Sequence, residues 1–243
     1  MRPIKLHIPT TWNELSPWQM ERVALVLYMM APSAKQDIKI LRILLNARWW
    51  KFLLHAKIQY VLFDVPLSYI KPYFEYIFKE NNRTKFLPAI KTKNGTLYPP
   101  MDRIINLTAS EFAAADDLHI KFLTNKEPEY LQYLAAVLYT PNPRPAFDKL
   151  NLTENVKPFI KLPLTHLLAI QICYSGSKHL LTQRFKKAFP QSSKKTPQKY
   201  GFGKVILEMC KSDLSKHDKI SNVNIYTFLE QFQQDIINAS KIK

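Results

Sequence analysis

Glycine is scarce in this chain, with four in 243 residues against seventeen prolines. A sandwich or barrel of many strands joined by tight turns needs more positions free to take positive φ, so the composition favours helices. Cysteine is scarcer still. Cys173 and Cys210 fall in expected helices without metal-ligand spacing, and read as buried free thiols in a reducing compartment. Long hydrophobic runs are missing too. The most apolar window, 38–63, is interrupted by Arg42, Asn46, Arg48, Lys51, His55 and Lys57, so no membrane span is expected. The opening MRPIKLHIP lacks the apolar stretch of an export signal, which makes the expected compartment cytoplasmic. Acidic side chains are outnumbered, 19 against 35 Lys and Arg, for a net charge of +16. Such a field favours polyanions or acidic protein surfaces and carries no information about fold.

Catalytic signatures are also lacking. Gly201-Phe202-Gly203-Lys204 glances at a phosphate loop, but only one residue separates the glycines and Val205 follows the lysine. A Walker loop needs four residues there and a Ser or Thr after the lysine. No H-x-x-x-H, C-x-x-C or G-x-S-x-G is present. Asp116, Asp117 and His119 are residues of metal-ligand type. On a helix Asp116 and His119 share a face at i, i+3 while Asp117 points elsewhere, which reads as a surface pair. No metal, cofactor or catalytic residue is expected, and the protein is read as non-enzymatic.

What is present is helix grammar. Over 106–139, Thr108 and Glu111 have capping-box spacing, with Leu107 and Phe112 placed for a hydrophobic staple. Phe112, Ala115, His119 and Phe122 recur at helical spacing. Asn125 and Pro128 break the pattern, and Pro128 suits the first turn of a second helix with Leu131, Leu134, Val137 and Leu138 inside. Pro141, Pro143 and Pro145 forbid more helix. Earlier, Ser16-Pro17-Trp18-Gln19 predicts a capped helix start, and Val23, Leu25, Val26 and Met29 supply its apolar positions. Ser33 and Gln36 repeat that spacing before a helix with Ile38, Leu41, Leu44 and Leu45 inside and Lys35, Lys39 and Arg42 on one face. A third helix is expected over 48–61, containing Trp49, Trp50, Phe52, Leu53 and Ile58. It reads first as a core helix whose lysines snorkel, with peripheral membrane attachment by this Trp49-Trp50 helix as the weaker reading. An aromatic helix is expected over 69–78.

Over 86–98 the period changes. Asn94-Gly95 is a strong hairpin signal and predicts a type I′ turn with positive φ at both residues. Ile4, Leu6 and Ile8 alternate as a short strand that could join the hairpin as a third. A long helix follows over 163–189, where Ser175-Gly176 could kink it or admit another backbone. Residues 191–199 read as a loop, and helices are expected over 202–211 and 223–240. The fold class is therefore mainly α, a multi-helix protein with one small β-hairpin element. The chain divides into 1–105 and 106–243, or forms one continuous domain.

From 178 to 219 eleven Lys and Arg face three acids, so this segment holds +8 of the +16. Lys186, Lys187, Lys194, Lys195 and Lys199 are the candidate contacts to a polyanion or a protein partner. Phe185, Phe189, Tyr200 and Phe202 are interleaved, as stacking on bases would need, although a solvated face over core aromatics accounts for the pattern as well.

Several stretches resemble a group of poorly characterised proteins encoded among the tail-morphogenesis genes of Bacteroidetes phages and prophages. They are IPTTWNELSPWQ, the hairpin before NLTASEF, LAAVLYTP, KLPLTHLLAIQICYSGSKHLLTQRF, and GFGKVILEMC with the later NIYTFLEQF. Order and spacing agree over nearly the whole length, while 31–60 agree only in helical, Trp-rich character. The resemblance implies a role in virion tail assembly, chaperone-like or as a minor structural protein. Other phage tail proteins would be its partners, in the host cytoplasm or on the virion. It brings no catalytic residues. The alternative is sequence-independent nucleic-acid binding through the basic C-terminal third.

Overall fold

The computed structural model describes residues 7–48, 50–189, 202–210 and 213–241. Among the described residues are eleven α-helices and one two-stranded antiparallel sheet. The first four helices are α1 (Pro17–Met29), α2 (Ala34–Leu44), α3 (Phe52–Asp64) and α4 (Leu67–Ile70). The hairpin β1 (Ile90–Thr92) and β2 (Gly95–Leu97) follows. Next come α5 (Ala109–Asn125), α6 (Pro128–Leu138), α7 (Leu152–Asn155) and α8 (Leu164–Arg184). The chain ends on α9 (Gly203–Met209), α10 (His217–Ser221) and α11 (Ile225–Lys241). The mainly α class with a small hairpin is what the sequence led us to expect.

Helix starts sit where side chains can satisfy orphan backbone groups. Ser16 Oγ accepts from Gln19 N–H at 3.3 Å, and Ser16 N–H donates to Gln19 Oε1 at 2.9 Å. The same Gln19 sends Nε2 to Leu44 O at 2.7 Å, which ties the start of α1 to the end of α2. Thr108 and Glu111 close the second box, at 3.3 and 2.8 Å. Ser33 accepts from Gln36 N–H, but the Gln36 side chain turns to Met30 O instead, so only half of a third box forms. α5 ends on Lys126 in the left-handed region (φ 62°), and Pro128 opens α6.

α8 is the central post. Its 21 residues span about 31 Å, and α1 and α6 both pack along it. Buried side chains on several of its faces, among them Leu168, Ile170, Cys173 and Tyr174, explain why its hydrophobic pattern is not one-sided. α8 runs through Ser175-Gly176 unbroken, so of the two roles open to that pair the structure uses close approach. One apolar core joins residues from Trp12 to Leu229, and both cysteines are free and buried within the fold.

Several expectations are corrected. The hairpin register pairs Thr92 with Gly95, so the turn residues are Lys93 and Asn94, one position earlier than expected. Asn94 is not at positive φ; Gly95 alone is, at 128°. Thr92 Oγ1 drives this choice, accepting from Asn94 N–H at 3.2 Å and donating to Gly95 O at 2.8 Å. Space around Gly95 is open, so Gly95→Val meets no clash, only the backbone penalty at positive φ. We expect a loss of about 1 kcal/mol in urea unfolding; an unchanged midpoint would place Gly95 at negative φ.

The hairpin's third neighbour is also different. Tyr98 pairs with Thr140, immediately after α6, through hydrogen bonds of 2.8 and 3.1 Å. Ile8 is not in a strand, and Ile4 and Leu6 lie outside the described residues. The aromatic helix expected over 69–78 is instead α4 followed by two short 3₁₀ turns, because Pro72 cannot continue the α ladder. Met29, the last residue of α1, is exposed, and Ile38 of α2 is only half-buried.

Candidate functional site

Five features could carry function, and three of them prove to be devices that hold helices together. The first contains Asp116 and His119 of α5. They share a face as expected, but the pair is buried, not a surface pair, because α8 lies over it. Lys178 of α8 pairs with Asp116 Oδ1, and the Tyr174 hydroxyl donates to the same oxygen at 3.4 Å. Gln171 Nε2 lies 3.4 Å from His119 Nδ1. The Tyr174 ring meets His119 edge-on at 5.4 Å. Asp117 is half-buried away from them, and burial with the Asp116 charge holds its carboxyl above the ordinary value. Among the described residues no three His, Cys, Asp or Glu side chains are placed to hold a metal ion.

Burial, with Lys178 and Lys126 nearby, pushes His119 down to about 4 from 6.5. The fold therefore holds the neutral imidazole. Stability from this group is complete above about pH 6.5 and is lost as pH falls toward 4, because the unfolded chain takes the proton first. At 1.36 kcal/mol per unit the loss is roughly 3 kcal/mol. The raised Asp117 carboxyl acts with the opposite sign, its contribution rising as pH falls. The difference between wild type and His119→Gln isolates the imidazole. We expect the two stability curves to converge as pH drops from 7 to 4; parallel curves would show that His119 is protonated in the fold.

The second cluster surrounds Arg83, a buried guanidinium on the extended strap 81–85. It donates to Trp12 O, to Leu15 O at 3.1 Å and to Lys85 O at 2.6 Å, so backbone carbonyls satisfy it. Asn13 Oδ1 accepts from the backbone of Thr84 and Lys85, each at 3.1 Å. Asn81 donates to Ile172 O at 2.7 Å and Cys173 Sγ to Lys85 O at 3.3 Å, which presses the strap onto α8. Burial pushes the Cys173 thiol up to about 11, so it is an inert packing group.

The third is Glu111 with Arg144. Arg144 Nε lies 2.7 Å from Glu111 Oε1, and its remaining nitrogens reach Val137 O and Leu138 O at 3.0–3.3 Å. Sequence reasoning missed both arginines, since each is spent on carbonyls that no local spacing identifies.

The basic segment is only partly in view. Lys186 and Lys187 are exposed, just past the end of α8, beside the Arg184–Glu230 pair at 3.3 Å. Lys194, Lys195 and Lys199 lie outside the described residues, as does Tyr200. The other interleaved aromatics belong to the interior. Phe185 packs on Tyr226, and Phe202 packs on Phe112, Phe189 and Phe228 at 5.0–6.0 Å. They are engaged with each other and are not free to stack on bases.

The fifth feature is α3, where the expectation of a core helix fails. Ile58 is its one buried residue, while Leu53 and Phe63 are 82% and 90% exposed. Apolar residues lie on several sides of the helix, interrupted by His55, Lys57, Gln59 and Asp64, which is why the sequence suggests a core position. Only one side of it meets the body. That side, with Leu41, Leu45 and Ile70, lines an apolar cleft of about 370 Å³. Just before α3, the Arg48 guanidinium lies over the rings of Trp18 and Trp50, at 5.1 and 5.4 Å. No protein family, curated protein or solved structure matches the chain.

Proposed function

We propose that the protein acts in virion tail assembly through contacts with other tail proteins, as a non-enzymatic chaperone-like or minor structural component. The observation that supports this reading most is the use of its interior polar groups. Asp116, His119, Glu111, Arg144 and Arg83 are consumed in joining helices and straps. Exposed cations such as Lys186 and Lys187 remain at the surface to meet an acidic partner. The sequence resemblance supplies the setting, and its stretches fall on the start of α1, the hairpin, the start of α5, the end of α6, and on α8, α9 and α11. The second reading, binding to DNA or RNA, keeps the basic charge in its favour. It loses the interleaved Phe185 and Phe202, which are buried.

Two assays at low and physiological salt separate these readings. Co-expression with the products of neighbouring tail genes is expected to give a complex that survives physiological salt, because such a complex rests on an apolar centre. Nucleic-acid retardation is expected to vanish over the same range, with a log–log slope of about −0.9 per duplex phosphate neutralised. Tight retardation at physiological salt, with no tail-protein complex, would overturn the assembly reading.

A further inference from the structure

We infer that α3 and the turns flanking it form a ridge that docks on an anionic lipid surface, a role that goes beyond the assembly reading and does not depend on it. Phe52, Ala56, Tyr60 and Phe63 fall at i, i+4, i+8 and i+11, with Leu53 beside them, so they share the outward side of α3. All five are exposed, opposite the side that carries buried Ile58. Water does not select such a stripe on a helix already anchored by its other face, so a partner must cover it. These side chains stand out as a ridge, and a ridge suits a soft apolar medium that closes around each of them. The neighbours fit the depth of lipid headgroups. Tyr60, Tyr69 and Tyr73 are exposed and carry an apolar ring with a polar tip, as does Trp50.

Charge narrows the partner further. From 48 to 73 the chain carries Arg48, Lys51, Lys57 and Lys71 against the single acid Asp64, although Lys71 is bound to Asp37. This rim attracts anionic headgroups, and a net charge of +16 on each molecule opposes a second copy as the cover. At 13 residues α3 is about 20 Å long, against a hydrocarbon core of about 30 Å, so it lies in the interface and does not cross it.

The test is co-sedimentation of the whole protein with vesicles of phosphatidylcholine alone and of phosphatidylcholine with phosphatidylserine. Binding to the anionic vesicles is expected, and at least about tenfold weaker binding to neutral ones. Leu53→Asp with Phe63→Asp should abolish binding while leaving the melting temperature unchanged, since both side chains are exposed. Lys51→Glu with Lys57→Glu should weaken binding at least about 25-fold, at roughly fivefold for each lysine lost. Three outcomes overturn the inference. Wild type does not sediment with anionic vesicles at low salt. Both variants bind undiminished. Or the Leu53/Phe63 variant loses a dimer or a tail-protein complex while wild type ignores vesicles, in which case a protein covers the ridge.

Discussion

Gly176→Ala should destabilise the protein by about 3 kcal/mol, although it adds a single methyl group to the middle of a helix. Alanine is the better helix former, and at an open site the change would stabilise. Here the new Cβ would lie 2.2 Å from Arg83 O and 2.6 Å from Arg83 N. Both are backbone atoms, so no side-chain rotation relieves the contact. The strap must move off α8, and Arg83 is the residue that fastens it. Displacement strains the bonds from Arg83 to Trp12 O and Leu15 O, and the Asn81 bond to Ile172 O. Groups that lose those bonds stay buried and unsatisfied, which carries the larger share of the expected loss. Gly203→Ala is the matched control, because nothing lies within 4 Å of its added Cβ. It should be neutral or stabilise by a few tenths of a kcal/mol. Urea unfolding of the two variants decides the matter. An unchanged midpoint for Gly176→Ala would mean that the strap does not rest on α8.

This position also shows where sequence reading stops. That Ser175-Gly176 either kinks the helix or admits a second backbone is legible; that it admits a backbone is shown only by the unbroken α8 and the approach of Arg83. Which backbone approaches is not legible either, since Arg83 is far away in the chain. The same division runs through the fold. Ser16 with Gln19 and Thr108 with Glu111 are local bargains between a side chain and the next turn, so their spacing predicts them. Pro17 and Pro128 start helices for an equally local reason. Arg144 bonds to carbonyls delivered by tertiary packing, and although Arg83 has one local partner in Lys85 O, its bonds to Trp12 O and Leu15 O are delivered the same way. Lys178 reads as one more surface cation until α8 lies against α5 and Asp116 appears beneath it. α3 misleads for a different reason. A helix with apolar residues on several sides is buried only if something covers those sides, and the pattern does not say whether the cover belongs to the same chain. The hairpin is legible to within one residue; the Thr92 hydroxyl, which competes for the turn, sets the remainder.

The other large effect is expected at Arg144, whose removal should cost about 3–5 kcal/mol. α5 and α6 are antiparallel, so the amino end of α5 lies beside the carboxyl end of α6. Glu111 sits in the first turn of the one, and Arg144 reaches the last carbonyls of the other. Each charge thus faces the helix end that favours it. Glu111 is 2% exposed at its side chain and Arg144 17%, so the pair works with little water around it. Arg144→Met keeps much of the apolar stem but leaves Glu111 as a buried carboxylate without its cation. It also strips the Val137 and Leu138 carbonyls of their donors. Glu111→Gln alone should cost less, because the glutamine oxygen preserves the capping box with Thr108 and no buried anion is left, although its NH2 then faces the Arg144 donor. Combining the two changes should recover part of the Arg144→Met loss, since no unpaired charge is left in the interior. The coupling energy from that double-mutant cycle is the decisive quantity. A value near zero would show that Arg144 acts only as a cap on α6, and that the ion pair with Glu111 adds nothing to the joint between the two helices.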